Sequence, residues 1–518
     1  MSRVSWDKAG LGMATLSQLI ESGKRVDAHH PWPRAVVDAS AWRLAATELR
    51  DRCLTLLGLW GDRGAVQMAL HDEAAGEFAV LSLKCPDGRF PSVGALHPPA
   101  IRLERTIRDL FGLEPEGAPD TRPWLDHGRW PVASQLSGAS QPPRHGTPYI
   151  FLPAEGEGLH QIPVGPVHAG IIEPGHFRFT AGGETIVRLE ERLGYAHKGI
   201  ETLMAGAGLD RAAKLAGRIS GDSTVAYAVA FARAAEAALG RDIPPRAQWL
   251  RALMAELERL ANHMGDIGAI CNDASFSLMH AHCSVLRERV LRAADASFGH
   301  RLMRDCVVPG GVAADLTDTG IAAIHTLVDE IRRRFPALVS LYDNTASLQD
   351  RTVGTGMLLP ELARQFGAGG YVGRASGRNF DARRSPGYAP YDQLTFDVPV
   401  RPEGDVNARI WIRIREVEQS LDLIDQILAR LPAGPVVAGM PGIARSEPTE
   451  GVALIEGFRG DILVWLRLGG DGTVERCHLR DPSWFQWPLL EAAIEGNIVA
   501  DFPICNKSFN CSYSGHDL

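Results

Sequence analysis

Apolar residues recur every three or four positions over 208–239, 244–272, 275–298, 319–347 and 406–431, a pattern that predicts long helices packed as a bundle. Earlier in the chain the pattern differs. Over 53–85 the runs CLTLLGLWGD, AVQMALHD and EFAVLSLKC are short and separated by Asp- and Gly-bearing turns, which predicts an antiparallel meander behind a polar N-terminal helix. AIRLERTIRDLFG at 100–112 returns to helical spacing and completes a small unit. HFRFTAGGETIVRL predicts a hairpin over Gly182-Gly183, and GVALIEGFRG with ILVWLRL predicts a late pair of strands. The expected fold class is α+β. A small N-terminal α+β domain covers 1–133, a Ser-, Gly-, Gln- and Pro-rich linker covers 134–148, and a mainly α-helical bundle with small β-sheet additions covers 149–518.

Composition narrows the function classes. Of 518 residues, 45% are hydrophobic and 22% charged, as expected for a globular chain with a large core. Lys plus Arg is 54 against 62 for Asp plus Glu, a formal charge of -8, which argues against nucleic acid as a partner. The most apolar stretch, 225–232, stops at Arg233, too short for a membrane span. MSRVSWDKAG lacks the apolar core of a secretory signal, so the expected compartment is the cytoplasm. The 8 cysteines are scattered with no C-x-x-C pair, and read as small buried hydrophobes.

Candidate chemistry is sparse. No G-x-G-x-x-G follows a strand, no phosphate-cradling loop occurs and no G-x-S-x-G elbow is present, so neither nucleotide binding nor serine hydrolysis is expected. GPVHAGIIEPGHFRF gathers His168, Glu173 and His176 in one predicted loop. Histidines titrate near neutrality and a carboxylate neighbour tunes them, so the three form a candidate proton relay; histidines bonded to turn backbone explain the same residues. His263 and Asp273 lie on or near one predicted helix, whose end accounts for the aspartate equally well. Arg332–Arg334 reads as a solvated face.

RLEERLGYAHKGIETL, AELERLANHMGDIGAICND, RERVLR, VVPGGV, DRTVGTG and DVPVRPEGDVNARIWIRIREVEQSL follow one another over 165–431. In that order they resemble the large subunits of membrane-bound energy-converting nickel-iron hydrogenases, of the formate-hydrogenlyase type, and the quinone-site subunit of respiratory complex I. IRLERTIRDLFGLEPEGAPDTRPWL in the first domain is similar to the small companion subunit often fused to them. The resemblance implies a peripheral-arm subunit of a membrane-bound oxidoreductase complex that couples electron and proton transfer to an ion-translocating module. Its implied partners are an iron-sulfur small subunit and antiporter-like and proton-channel-like membrane subunits, on the cytoplasmic side of the inner membrane. His168, Glu173, His176 and Asp273 correspond to the proton-handling set, and Arg218 and Arg304 to positions facing the partner's iron-sulfur cluster.

Hydrogenase members hold nickel and iron on four thiolates. Here GRISGDST places Ser220 and Ser223, and RDPSWFQW places Ser483 and Gln486, at those positions. Hydroxyls and an amide are hard donors, so the resemblance implies a lost metal site, with quinone as the one candidate cofactor for this chain. Gly221 stands where the quinone-bonding tyrosine is expected. The rival readings are a redox-inactive coupling scaffold and, against the missing thiolates, an active hydrogenase. The tail PLLEAAIEGNIVADFPI predicts a short helix and an apolar strand, with SFNCSYSG filling the vacated site and no proteolytic trimming.

Overall fold

The computed structural model describes residues 14–138, 142, 148–169, 172–439 and 447–518. The expected meander forms as Thr55–Asp62, Ala65–Asp72 and Glu77–Lys84, paired antiparallel. Arg34–Val37 adds to Glu77–Lys84 in parallel and Lys24–Arg25 closes the edge. One face of this sheet is covered by helices Ala39–Arg50 and Ile101–Phe111, through Trp42, Leu49, Leu103 and Ile107. Gly112 ends the second helix at φ 70, a left-handed cap that glycine reaches without a Cβ clash.

The other face is not solvated. Leu57, Trp60 and Val80 pack against Leu454, Leu463 and Trp465 of a second sheet, which explains why the meander's runs are continuously apolar rather than alternating. That second sheet contains the late strand pair, Thr449–Gly457 and Gly460–Leu468, with Val474–Arg480 as a third strand the sequence pattern did not predict. His29–His30 crosses over and pairs with Glu450 and Gly451, so the small domain donates a strand to the large one. The predicted linker starts late. Leu136 is buried and its N–H donates to Leu110, because one leucine among polar residues is enough to anchor the segment; 139–141 and 143–147 lie outside the described residues, as do 1–13 at the chain start.

Of the long helices, Pro245–Asp273, Ser277–Phe298 and Val406–Arg430 form near their expected limits. Two expected helices are broken. The helix predicted over 319–347 is Asp318–Asp343 followed by Ala346–Thr352. The one over 208–239 is Leu209–Ala216 and Thr224–Leu239, separated by 217–223. There Ser220, Asp222 and Ser223 bond through their side chains and Thr224 Oγ1 donates to Gly217 O, an alternative to continued helix. Thr224–Leu239 is buried nearly all round and lies on the strand Thr449–Gly457; a Cβ on Gly451 would stand 1.9 Å from the Ala234 carbonyl, so only glycine permits that approach. The hairpin forms as His176–Gly182 and Thr185–Arg192, with Leu159–Val164 added alongside. The C-terminal strand does not form. Pro503 and the following apolar residues instead start the helix Phe502–Phe509, and Tyr513–Asp517 follows.

Candidate functional site

The break at 217–223 is where the two halves of the candidate site meet. Ser220 Oγ donates to Asp222 Oδ1 at 2.6 Å and lies 3.0 Å from Ser512 Oγ. The Ser512 N–H donates to Ser483 Oγ at 2.8 Å, at the start of the helix Ser483–Ala493. Arg459, at the tip of the strand pair, donates to both Asp222 oxygens and to Ser223 Oγ at 3.2 Å. The Gln486 Nε2 donates to the Arg459 carbonyl at 2.9 Å, and Tyr227 donates to Asp481 at 2.5 Å. Ser220, Ser223, Ser483 and Gln486 thus gather in one buried cluster, linked by Ser512 and Arg459.

The electrostatics are set by one ion pair. Burial works to raise the Asp222 pKa, but the Arg459 guanidinium and the Ser220 hydroxyl hold it below the usual carboxylate range. Cys511, next to Ser512, is the nearest thiol in sequence, and burial with the charge of Glu191 pushes it well up, so it stays neutral. The donors at the four positions are three hydroxyls and an amide. Ser220 and Ser483 are hydrogen-bonded within the protein, Ser223 accepts from Arg459, and Gln486 Oε1 is buried without a hydrogen-bond partner. One amide oxygen among hydroxyls does not match a nickel-iron pair held by four thiolates. Among the described residues, no group of three or more His, Cys, Asp and Glu could hold a metal ion.

Glu173 is exposed and accepts from the N–H of Ser514, in the helical turn that Ser512 caps, which places it beside the cluster. The two histidines of the loop face backbone: His168 Nε2 is 2.8 Å from Gly175 O and His176 Nδ1 is 3.1 Å from Gly165 O. Burial lowers the His176 pKa, and Arg178 donates to its other nitrogen, so the ring is neutral. Asp273 does not join them. It ends the helix Pro245–Asp273, with Lys507 and His280 as its charged neighbours; Glu258, earlier on the same helix, accepts from Val225 and Ala226 beside the cluster. Arg218 forms a two-bond pair with Asp305 at 2.6 and 2.7 Å, and Arg304 neighbours that aspartate in sequence. Ser512 lies in the SFNCSYSG segment expected to fill the site; sequence reasoning missed Asp222, Arg459 and Glu258, and an arginine held between Gly457 and Gly460 at a strand turn was the available signal.

His263 proves structural. Its Nε2 is 2.7 Å from Glu416, which also accepts from Arg374 at 2.6 and 3.0 Å. Burial acts to raise Glu416, and Arg374, His263 and Arg259 outweigh it, holding its pKa well below the usual range. Glu256, Asp381, Arg383 and Glu456 extend this network between the central helix and the second sheet.

Fold and site together define a class of protein: a helical bundle closing over a buried polar site, with an α+β unit packed onto its sheet. Residues 273–450 match the respiratory-chain NADH dehydrogenase 49 Kd subunit family, and 35–142 the 30 Kd subunit family. Formate hydrogenlyase subunit 5 of Escherichia coli K12 is 32% identical over 439 residues, covering 83% of this chain and 77% of that one. An NADH-quinone oxidoreductase subunit from Phocaeicola vulgatus is 28% identical, covering 87% and 92%. A chain in the structure of the membrane-bound sulfane sulfur reductase, an archaeal respiratory membrane complex, superimposes with TM-score 0.66 at 25% identity, covering 70% and 99%. The protein belongs to the family that includes formate hydrogenlyase subunit 5 and the 49 Kd subunit of respiratory-chain NADH dehydrogenase. Among the described residues no helix is long and apolar enough to cross a membrane.

Proposed function

We propose that this chain is a peripheral-arm subunit of a membrane-bound oxidoreductase complex, coupling electron and proton transfer to an ion-translocating membrane module without a nickel-iron site of its own. The observation that carries this reading is the hydrogen-bonded cluster in which Ser220 and Ser483, two of the four residues aligned with the hydrogenase thiolates, are joined through Ser512 and Asp222. Hydroxyls pass protons by reorienting. Asp222, kept ionised by Arg459, sets the charged end of the chain, and Glu173 stands at the entry. His168 and His176 hold the Glu173 loop through backbone bonds, a positioning role. Arg218 and Arg304 face the iron-sulfur cluster of a small-subunit partner, where positive charge raises the cluster's potential.

The small domain of 1–133 acts as the companion unit, and the assembly sits on the cytoplasmic face of the inner membrane through antiporter-like and proton-channel-like partners. Quinone is the acceptor class suggested by the relatives' names. Gly221 is exposed at the edge of a cavity of about 160 Å³ lined also by Asp222, Glu258 and Asn262, and a Cβ added there meets nothing within 4 Å. The test is purification of the native assembly through a tag on this chain. The expected result is co-purified membrane subunits and an iron-sulfur signal with no stoichiometric nickel; about one nickel per chain, or an isolated chain, would overturn the reading.

A further inference from the structure

Beyond the hydroxyl cluster, the seam between the two units holds a group that the proposed chemistry does not use. A cleft of about 390 Å³ opens there, lined on one side by Arg102, Arg105 and Arg122 and on the other by Glu190, Glu191 and Glu491. Arg122 is taken by Glu190 and Asp120, and Arg105 by Asp120. That leaves Arg102 facing two carboxylates: its Nη2 is 2.7 Å from Glu491 Oε1 and its Nη1 is 3.3 Å from Glu191 Oε2. Glu491 also accepts from the Glu191 N–H at 2.8 Å. One guanidinium cannot neutralise two carboxylates. Arg188 also lines the cleft, but it donates to the Leu152 and Pro153 carbonyls and its charge acts on Glu495; Cys511 and Tyr513 lie within electrostatic reach of Glu191 and are neutral, so neither supplies a second cation.

The two glutamates are not equivalent. Glu191 is 1% exposed, and its Oε1 is buried with no hydrogen-bond partner, the position where an added proton removes an uncompensated charge. The Glu491 side chain is 21% exposed and looks onto the cleft. Tyr513 feels the charge of both Glu191 and Glu173, and its ring packs onto Gly175 of the histidine loop. We propose that Glu191 and Glu491 share one proton over Arg102, forming a proton-loading site that takes protons from the cleft and stands, with Tyr513 on its inner side, next to the Glu173 entry to the hydroxyl cluster. Burial and the mutual repulsion of the pair both raise the Glu191 pKa, in the direction sharing requires.

The inference stands whether or not the redox reading holds, because its test reads protonation in the resting full-length chain. Infrared spectroscopy at neutral pH separates the C=O stretch of protonated carboxyls from ionised carboxylates, and the former shifts in D2O. A shared proton predicts that Glu191→Gln and Glu491→Gln each abolish the same band, since either leaves a single carboxylate paired with Arg102. The band of Glu258, whose pKa burial raises to about 8, survives both substitutions. An unchanged spectrum in both variants, or a band lost in only one, overturns the sharing. If a variant failed to fold, dicyclohexylcarbodiimide labelling of the wild-type chain decides, because the reagent adds only to protonated carboxyls: a label mapped to Glu491 or Glu191 at neutral pH supports the site, and none at either refutes it.

Discussion

Two buried polar regions lie on either side of the central helix Pro245–Asp273 and are built on opposite plans. Around Glu416 the plan is charge against charge: Glu256, Asp381, Glu416 and Glu456 meet Arg259, Arg374 and Arg383, with His263 wedged in. Four acids against three arginines leave one excess negative charge. Burial and the repulsion of Asp381 raise Glu456 to about 7, which lets that carboxyl carry the balancing proton. Around Ser220 the plan is neutral hydroxyls with a single ion pair, Asp222–Arg459, at the rim. A dense ionic network locks geometry, because moving any member strands a charge. Hydroxyls tolerate reorientation, which suits a region through which protons pass. The first region reads as a clamp and the second as a conduit.

Breaking the clamp has the largest expected effect. Arg374 bonds Glu416 and Glu456 and lies 3.6 Å from Asp381. Arg374→Met leaves those carboxyls facing each other in the interior, and loss of one partner of a buried network costs about 3–5 kcal/mol. The thermal unfolding midpoint of the full chain is expected to fall by several degrees or folding to fail. A midpoint within a degree of wild type would mean that the network is not a clamp.

Next in size is a pH effect from the conduit side. Burial, aided by Asp222 and opposed by the Val225 and Ala226 N–H groups and by Arg259, raises Glu258 to about 8. Its folded value exceeds the unfolded one of about 4.3, so the native state binds the extra proton. The stability this confers is fully present below the unfolded value and is lost as pH rises toward about 8, at up to about 1.4 kcal/mol per pH unit. Glu258→Gln keeps the acceptor oxygen and removes the titration. Plotted as wild type minus variant, stability should decline across that window; parallel curves would show that Glu258 titrates normally.

A smaller loss is expected from Ser512→Ala. The hydroxyl caps Gly515 N and contacts Ser220, so removal costs about 1–2 kcal/mol as a lost cap and hydrogen bond. Against Arg374→Met, this ordering sharpens the contrast between clamp and conduit. A Ser512→Ala loss as large as that of Arg374→Met would erase it.

How much of this the sequence disclosed follows from what periodicity can express. The meander and the helices Pro245–Asp273, Ser277–Phe298 and Val406–Arg430 were legible because their apolar spacing is unbroken. The break at 217–223 was not, since Ser220, Asp222 and Ser223 abandon the helix for local hydrogen bonds without disturbing the apolar count. Ser220, Ser223, Ser483 and Gln486 were found through ordered motifs, and these four come together in space. The clamp was invisible for a simpler reason. Arginines and glutamates within helices are read as solvent-facing, yet Glu256, Arg259 and Glu416 are at most 1% exposed. For Asp273 the motif AELERLANHMGDIGAICND carried no information on how far the helix runs; the residue ends that helix, with Lys507 as a charged neighbour.

The smallest expected effect on stability tests the outer face. Arg218 and Asp305 pair at the surface, with side chains 40% and 36% exposed. Such a pair contributes about 0.2–1 kcal/mol, so Arg218→Ala should leave the unfolding midpoint nearly unchanged. Its consequence lies elsewhere. The substitution removes one positive charge and frees the Asp305 carboxylate beside Arg304 and Lys214, which lowers the potential of any cluster brought against it and weakens docking of the partner that holds it. Arg218→Lys keeps the charge but loses the two-pronged geometry, so it should restore most of the potential and less of the docking. In the native assembly, then, Arg218→Ala is expected to shift the cluster's reduction potential downward while the isolated chain stays as stable as wild type. An unchanged potential in an intact assembly would place the cluster on another face, and a large fall in the chain's own midpoint would make the pair part of the clamp after all.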